Sequence, residues 1–186
     1  MSEIIFVTGG ARSGKSTMAE TLLTQTKGEL LYIATAVPFD EEMRDRIDKH
    51  KKNRQNHWQT VERYENFQEL IKEEVFQEAT HVLLDCLTVL LSNRFFDANL
   101  DENSELEKFN RIEKQVTEDV LDLMNLCRIH NKMLVIVSNE LGMGIVPLDR
   151  MTRMYRDIAG RLNQVVAAEA DKGILVVSGI GITIKG

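Results

Sequence analysis

The sequence is poor in the features that would commit it to several large protein classes. Of its 186 residues only two are cysteine, Cys86 and Cys127. Both sit in apolar settings without C-x-x-C spacing, which argues for a buried, reduced pair and against a disulfide framework or a thiolate metal site. Positive charge is not in excess: the formal net charge is −6, so no global field draws the chain to nucleic acid or to an anionic membrane. Any anion site must be a local basic cluster. No apolar run approaches the ~20 residues of a membrane helix, and a strand begins at once, so no signal peptide is expected. Internal repeats, low-complexity tracts, zinc-ligand spacing, a G-x-G-x-x-G fingerprint and a Ser/His/Asp order are all missing. What remains is ordinary for a soluble protein, 43% hydrophobic and 28% charged. The expectation is one cytoplasmic domain spanning residues 1–186.

Against that background one stretch stands out. GGARSGKS, Gly9 to Ser16, is entered from the apolar, β-branched run IIFVT and fits G-x-x-x-x-G-K-[ST], the phosphate-binding loop. Glycines at 9, 10 and 14 let the backbone turn its N–H groups toward an anion. Lys15 reaches the outer phosphates, Ser16 offers a ligand to Mg²⁺, and the next helix points its positive end at the same place.

The rest of the chain alternates strands with helices. LLYIATA (Leu30 to Ala36), HVLLDC (His81 to Cys86), MLVIVS (Met133 to Ser138), GILVVS (Gly173 to Ser178) and GITIKG (Gly181 to Gly186) read as strands. Gly179-Ile180 is expected to turn the last two into a hairpin. Helices are expected after the loop, from Asp40 to about Lys52, from about Asn66 to Gln77, over Leu87 to Phe96, and from about Asp149 to Ala170. Trp58 falls in a polar connection. Ser104-x-x-Glu107 makes a capping box for a long helix whose buried stripe is Phe109, Ile112, Val116, Val120, Leu123 and Cys127. Long crossovers between buried strands give a doubly wound α/β fold with a mostly parallel sheet, an antiparallel C-terminal edge strand and ligand at the strands' carboxyl ends. The phosphate loop, Ala34 to Ala36, Asp85 and Asn139-Glu140 all fall at such ends.

Two readings fit Asp85: a carboxylate near Mg²⁺ or its water shell, or an N-cap for the helix after it. Glu140 suits a role in orienting a hydroxyl or holding water. In RIDKHKKNRQNHW, five basic residues (Arg46, Lys49, Lys51, Lys52, Arg54) crowd around His50. A solvated helix face with a packing histidine explains the spacing. A phosphate-directed nucleophile explains it too, because nearby cations attract a polyphosphate and keep an imidazole lone pair free.

VTGGARSGKS, LYIATA, RIDKHKKNRQNHWQTVE, LLDCLT, SNELGMGIVP, YRDIAGRLNQ and VSGIGI together resemble the bifunctional adenosylcobinamide kinase/adenosylcobinamide-phosphate guanylyltransferase family of cobalamin biosynthesis. The histidine segment and NELGMGIVP are the specific parts. The resemblance implies a RecA-like P-loop NTPase fold and two reactions: phosphorylation of adenosylcobinamide by ATP or GTP, then guanylylation of its phosphate by GTP through an enzyme histidine. By position that histidine is His50. The implied nucleotide contacts are Gly9, Gly10, Ala11, Arg12, Ser13, Gly14, Lys15, Ser16, Ala34, Thr35, Ala36, Lys51, Lys52, Asn53, Arg54, Glu62 and Asp85, with Ser16 and Asp85 at Mg²⁺. Glu62 is placed to accept from the guanine N1–H and amine. A homotrimer and a corrinoid substrate are also implied. Gln55 stands where the family usually has proline. The alternatives are a single-function P-loop small-molecule kinase and a non-enzymatic RecA-like nucleotide-gated binding protein.

Overall fold

The computed structural model describes residues 2–25, 27–36 and 58–186. Elements follow in the order β1 (Ile4–Gly9), α1 (Lys15–Thr24), β2 (Leu30–Ala34), β3 (Trp58–Glu62), a 3-10 helix (Phe67–Lys72), α2 (Glu74–Glu78), β4 (His81–Asp85), α3 (Leu87–Asp97), α4 (Leu106–Ile129), β5 (Met133–Asn139), α5 (Arg150–Glu169), β6 (Lys172–Val177) and β7 (Ile180–Lys185). The strands form one seven-stranded sheet in the order β3-β2-β4-β5-β1-β6-β7. Pairing is parallel from β3 through β6, and β7 closes the edge antiparallel to β6.

Alternate strand residues face opposite ways, and both faces are covered. Ile4, Phe6, Leu31, Ile33, Val82, Leu84, Leu134 and Ile136 pack with α3, α4 and α5. Ile5, Val7, Tyr32, Leu83, Val135 and Val137 pack with Ala19 and Leu23 of α1. This is the doubly wound arrangement expected from the strand–helix alternation. The expected stripe of α4, Phe109 through Cys127, is buried at every position. Each large apolar side chain there stabilises the fold by ~1.5–3 kcal/mol through its removal from water. Phe109 also meets Phe95 of α3 edge-on, with ring centroids 5.6 Å apart.

Four local expectations are corrected. Trp58 opens a strand rather than lying in a connection. β3 is a polar edge strand with half-exposed residues, so its sequence lacks an apolar run, and its pairing with β2 and the Trp58–Tyr32 ring contact define it. Charged and polar residues are what protects such an edge. The helix expected over Asn66 to Gln77 is broken at Glu73, whose backbone is extended and whose carboxylate pairs with Arg63 at 3.0 Å. In one unbroken helix Phe76 would lie opposite Phe67; the break lets both reach the core.

The capping box is not formed. Ser104 Oγ instead donates to Asp101 Oδ1 at 2.9 Å and accepts from Asp101 N at 3.0 Å, so α4 starts at Leu106 with no side-chain cap. Lastly, the hairpin turn is Ser178-Gly179, one residue earlier than expected. Both residues take positive φ, 51° and 82°, as the favoured two-residue turn requires and as β-branched Ile180 resists. The helix expected from Asp40 to Lys52, including the shared face of Met43, Ile47 and His50, lies outside the described residues.

Candidate active site

The phosphate loop leaves the middle of the sheet. Gly9 is in register with Asn139 of β5 on one side and Val176 of β6 on the other. The loop ends at Gly14, which begins α1 at φ 94°, a left-handed conformation that glycine takes without steric cost. Ser13 N donates to Gly10 O at 3.2 Å, and Lys15 Nζ crosses the loop to donate to Gly10 O at 3.0 Å. Lys15 is buried. Burial lowers its pKa, with Cys86 and Asp85 acting in the opposite direction. An ammonium held with so little water is a site where an anion is favoured. Thr8 Oγ1 and Ser13 Oγ are buried with no hydrogen-bond partner among the described residues, which suits two donors to phosphate oxygens. The β6–β7 turn braces the loop from outside, through Gly179 N donating to Ser13 O at 2.7 Å.

The other candidates meet this loop along one strand edge. Ala34 is in register with Asp85 and with Glu62, and Asp85 with Val137. The carboxyl ends of β2, β3, β4 and β5 therefore bring Ala34 to Ala36, Glu62, Asp85 and Asn139 to the loop's side of the sheet. Asp85 is half-buried and accepts from Tyr32 Oη at 3.1 Å. Glu140 N donates to Gly9 O at 2.9 Å, while its carboxylate accepts from Gly142 N at 2.6 Å and so shapes the loop that follows. Ala11 and Arg12 are exposed on the phosphate loop. His50, Lys51, Lys52, Asn53 and Arg54 lie outside the described residues.

The donor set fits a hard cation. Ser16 and Asp85 supply oxygen, and no group of three or more His, Cys, Asp or Glu able to hold a metal occurs among the described residues. An ion here would take its remaining ligands from phosphate and water, which is how Mg²⁺ is commonly held. Neither cysteine competes as a nucleophile. Burial, with the Asp85 charge adding to it, pushes the Cys86 thiol up to about 11, and burial pushes Cys127 up to about 12. Both therefore stay protonated near neutral pH.

A polar network behind the strand ends was invisible in the sequence. Asn163 of α5 accepts from Ser138 Oγ at 2.6 Å and donates to Asn139 O at 3.1 Å. Asn139 Nδ2 donates to Thr88 Oγ1 at 2.6 Å, and Tyr155 Oη donates to Thr88 O at 2.6 Å. Thr35 is fully buried: its hydroxyl exchanges hydrogen bonds with Cys86 O and Cys86 N at 3.0 and 2.8 Å, and its carbonyl accepts from Asn93 Nδ2 at 2.6 Å. Satisfied networks of this kind hold a site rigid. They join residues far apart in sequence, and the only signal was a run of polar side chains on otherwise apolar helix faces.

Comparison with known proteins agrees with this geometry. The family model described as cobinamide kinase / cobinamide phosphate guanyltransferase matches residues 5–184. The bifunctional adenosylcobalamin biosynthesis protein CobU of Escherichia coli is 43% identical over 182 residues, covering 98% of this chain and 99% of that protein. CobU of Salmonella typhimurium is 42% identical over 182 residues, with the same coverage. The corresponding CobP of Pseudomonas aeruginosa is 33% identical over 180 residues, 97% of this chain and 96% of the relative. Among solved structures, a KaiC-like protein from Pyrococcus horikoshii aligns with a TM-score of 0.50 and 15% identity over 93% of this chain and 70% of its own; it supports the RecA/KaiC-like P-loop fold alone. With a family model spanning nearly the whole chain and relatives alike from end to end, this chain belongs to the cobinamide kinase / cobinamide phosphate guanyltransferase family.

Proposed function

We propose that this chain carries out two successive reactions on a corrinoid, as one P-loop nucleotide-binding and transferase domain. With ATP or GTP it phosphorylates the aminopropanol hydroxyl of adenosylcobinamide. It then moves GMP from GTP, through His50, to adenosylcobinamide phosphate, giving adenosylcobinamide-GDP. The observation that carries this reading is the meeting of Lys15, Asp85 and Asn139 at one strand edge, in a chain that the family model spans from residue 5 to residue 184.

In the first reaction the acceptor hydroxyl oxygen bonds to the γ-phosphorus, the hydroxyl proton leaves, and the bond to the β–γ bridging oxygen breaks to release the nucleoside diphosphate. Lys15 and the N–H groups of Gly10, Ala11, Arg12, Ser13 and Gly14 offset the charge that moves onto those oxygens. Ser16 and Asp85 would hold Mg²⁺, which supplies further neutralisation of phosphate charge when bound. In the second reaction an imidazole nitrogen of His50 bonds to the α-phosphorus of GTP and pyrophosphate leaves. A phosphate oxygen of the corrinoid then attacks the same phosphorus, and the imidazole leaves with its bonding pair. Splitting the transfer this way replaces one difficult step with two easier ones. Lys51, Lys52, Asn53 and Arg54 would steer the triphosphate toward His50. Ala34, Thr35 and Ala36 would border the base, and Glu62 would accept from the guanine edge.

The chain is proposed to work in the cytoplasm as a homotrimer, as its resemblance to the family implies. No helix among the described residues is long and apolar enough to cross a membrane. Incubation with GTP labelled at the α-phosphate tests the reading. An acid-labile, base-stable label on the wild-type protein, absent from His50→Ala, is the expected result. Absence of label on the wild type, or its persistence on His50→Ala, overturns the guanylyl half.

A further inference from the structure

Alongside the strand-edge site, α3 and α5 diverge and leave two adjoining cavities. The inner one, about 230 Å³, is lined by Thr88, Asn93, Asn139, Leu141 and Tyr155 among others. The outer one, about 350 Å³, is lined by Phe95, Phe96, Leu100, Met151 and Tyr155 among others. Ser92 and Tyr155 line both, so the two form one continuous groove. Its inner end is polar and touches the nucleotide side directly, because Asn139 is the register partner of Gly9. Its outer end is apolar. Phe96 is 66% exposed there, and the chain between Leu141 and Met151, which links the two cavities, exposes Met143, Ile145, Val146 and Leu148.

We infer that this groove binds the acceptor. The inference rests on the function proposed above and adds to it the place where the corrinoid lies. A cobinamide is a broad, largely apolar macrocycle fringed by amides, with its reacting hydroxyl on a flexible side arm. The groove presents the matching order of surfaces: aromatic and aliphatic side chains outside for a ring face, then hydroxyl and amide groups within for amide fringes. Its inner end opens at the phosphate loop, where the side-arm hydroxyl must arrive. Tyr155 is the shared wall. Its hydroxyl is tied to Thr88 O at 2.6 Å, so the ring is fixed at the passage between the compartments and acts as a positioning residue for the acceptor. Apolar concave sites with a few fixed polar groups are the usual form of a small-molecule site.

Equilibrium dialysis of cobinamide against the wild-type protein, Phe96→Glu, Met151→Glu and the conservative Phe96→Leu tests this. Phe96 and Met151 border the groove at the surface, so a carboxylate there disturbs the ring face without filling the core. The expected result is a Kd for cobinamide raised tenfold or more in both Glu variants and nearly restored in Phe96→Leu. The KM for cobinamide phosphorylation should follow, with the KM for ATP within twofold of wild type. Binding by the wild type with equal affinity in both Glu variants overturns this inference and leaves the proposed function standing. A wild type that binds no cobinamide overturns both. Loss of ATP and cobinamide affinity together, with a smaller assembly in sedimentation, identifies the groove as a contact between copies of the chain and overturns its role as the acceptor site.

Discussion

Gly9→Ala gives the most direct test of how the phosphate loop is held. A methyl at this position would stand 2.7 Å from Ser13 Oγ and 3.3 Å from the carbonyl carbon of Val176, with the Val176 carbonyl oxygen closer still. Ser13 can rotate away. Val176 cannot, because it is the register partner of Gly9 in a buried parallel pair. Relief therefore requires β1 and β6 to part locally, and overpacking of this kind costs about 1–3 kcal/mol. A value near 2 kcal/mol corresponds to a loss of about 1 M in the urea midpoint. Triphosphate affinity should fall as well, since the displaced strand end carries the loop. Gly10→Ala is the internal control. No atom lies within 4 Å of the methyl it would add, so its stability should stay within about 0.5 kcal/mol of wild type. Adding Ser13→Ala to Gly9→Ala should recover little, because the rotatable contact is the minor one. Urea denaturation and nucleotide titration measure all four proteins. Equal stabilities for Gly9→Ala and Gly10→Ala, or full rescue by Ser13→Ala, would refute the argument that backbone approach demands glycine here.

Lys15→Ala should lower phosphoryl transfer to cobinamide about a hundredfold or more in a steady-state assay, by analogy with removal of a single charge-stabilising donor; unchanged turnover would contradict its role. Glu62→Gln should weaken GTP far more than ATP in competition binding, and equal losses would remove Glu62 as the reader of guanine. His81 tests the acid side of stability. It is buried at the start of β4 with Nδ1 2.7 Å from Thr80 Oγ1, and burial lowers its pKa. The unfolded chain, with an ordinary histidine near 6.5, therefore takes up protons first as the pH falls. Stability should decline as pH drops through about 6.5, and the decline should be shallower in His81→Gln. Denaturant midpoints at several pH values decide this, and parallel slopes would exclude the histidine as a source.

The parts of the fold legible in the sequence are those set by local periodicity. The buried strands Ile4–Gly9, His81–Asp85 and Met133–Asn139 are apolar runs because both of their faces are covered. The stripe of α4 repeats at helical spacing because one face alone meets the sheet. What could not be read depends on partners distant in the chain. Trp58–Glu62 is a strand because β2 lies beside it, and Glu73 breaks a helix because Phe76 has a core position to reach. The site divides along the same line. The phosphate loop was plain because its glycines, lysine and serine are contiguous. The Asn163–Asn139–Thr88–Tyr155 network and the contact of Gly179 with Ser13 were hidden, because each joins residues from separate elements whose meeting only the sheet order determines.

The central place of β1 bears on how the enzyme comes into being. A ribosome delivers GGARSGKS among the first residues, yet the strands that flank it, β5 and β6, begin at Met133 and Lys172. Until both have emerged, Gly9 lacks its neighbours on either side and Ser13 lacks the brace from Gly179. A partly synthesised chain thus carries the entire phosphate-binding signature with no cradle for a triphosphate. Nucleotide capture and completion of the sheet then arrive together, late in synthesis, and slow pairing of distant strands rather than helix formation sets when the catalyst is ready.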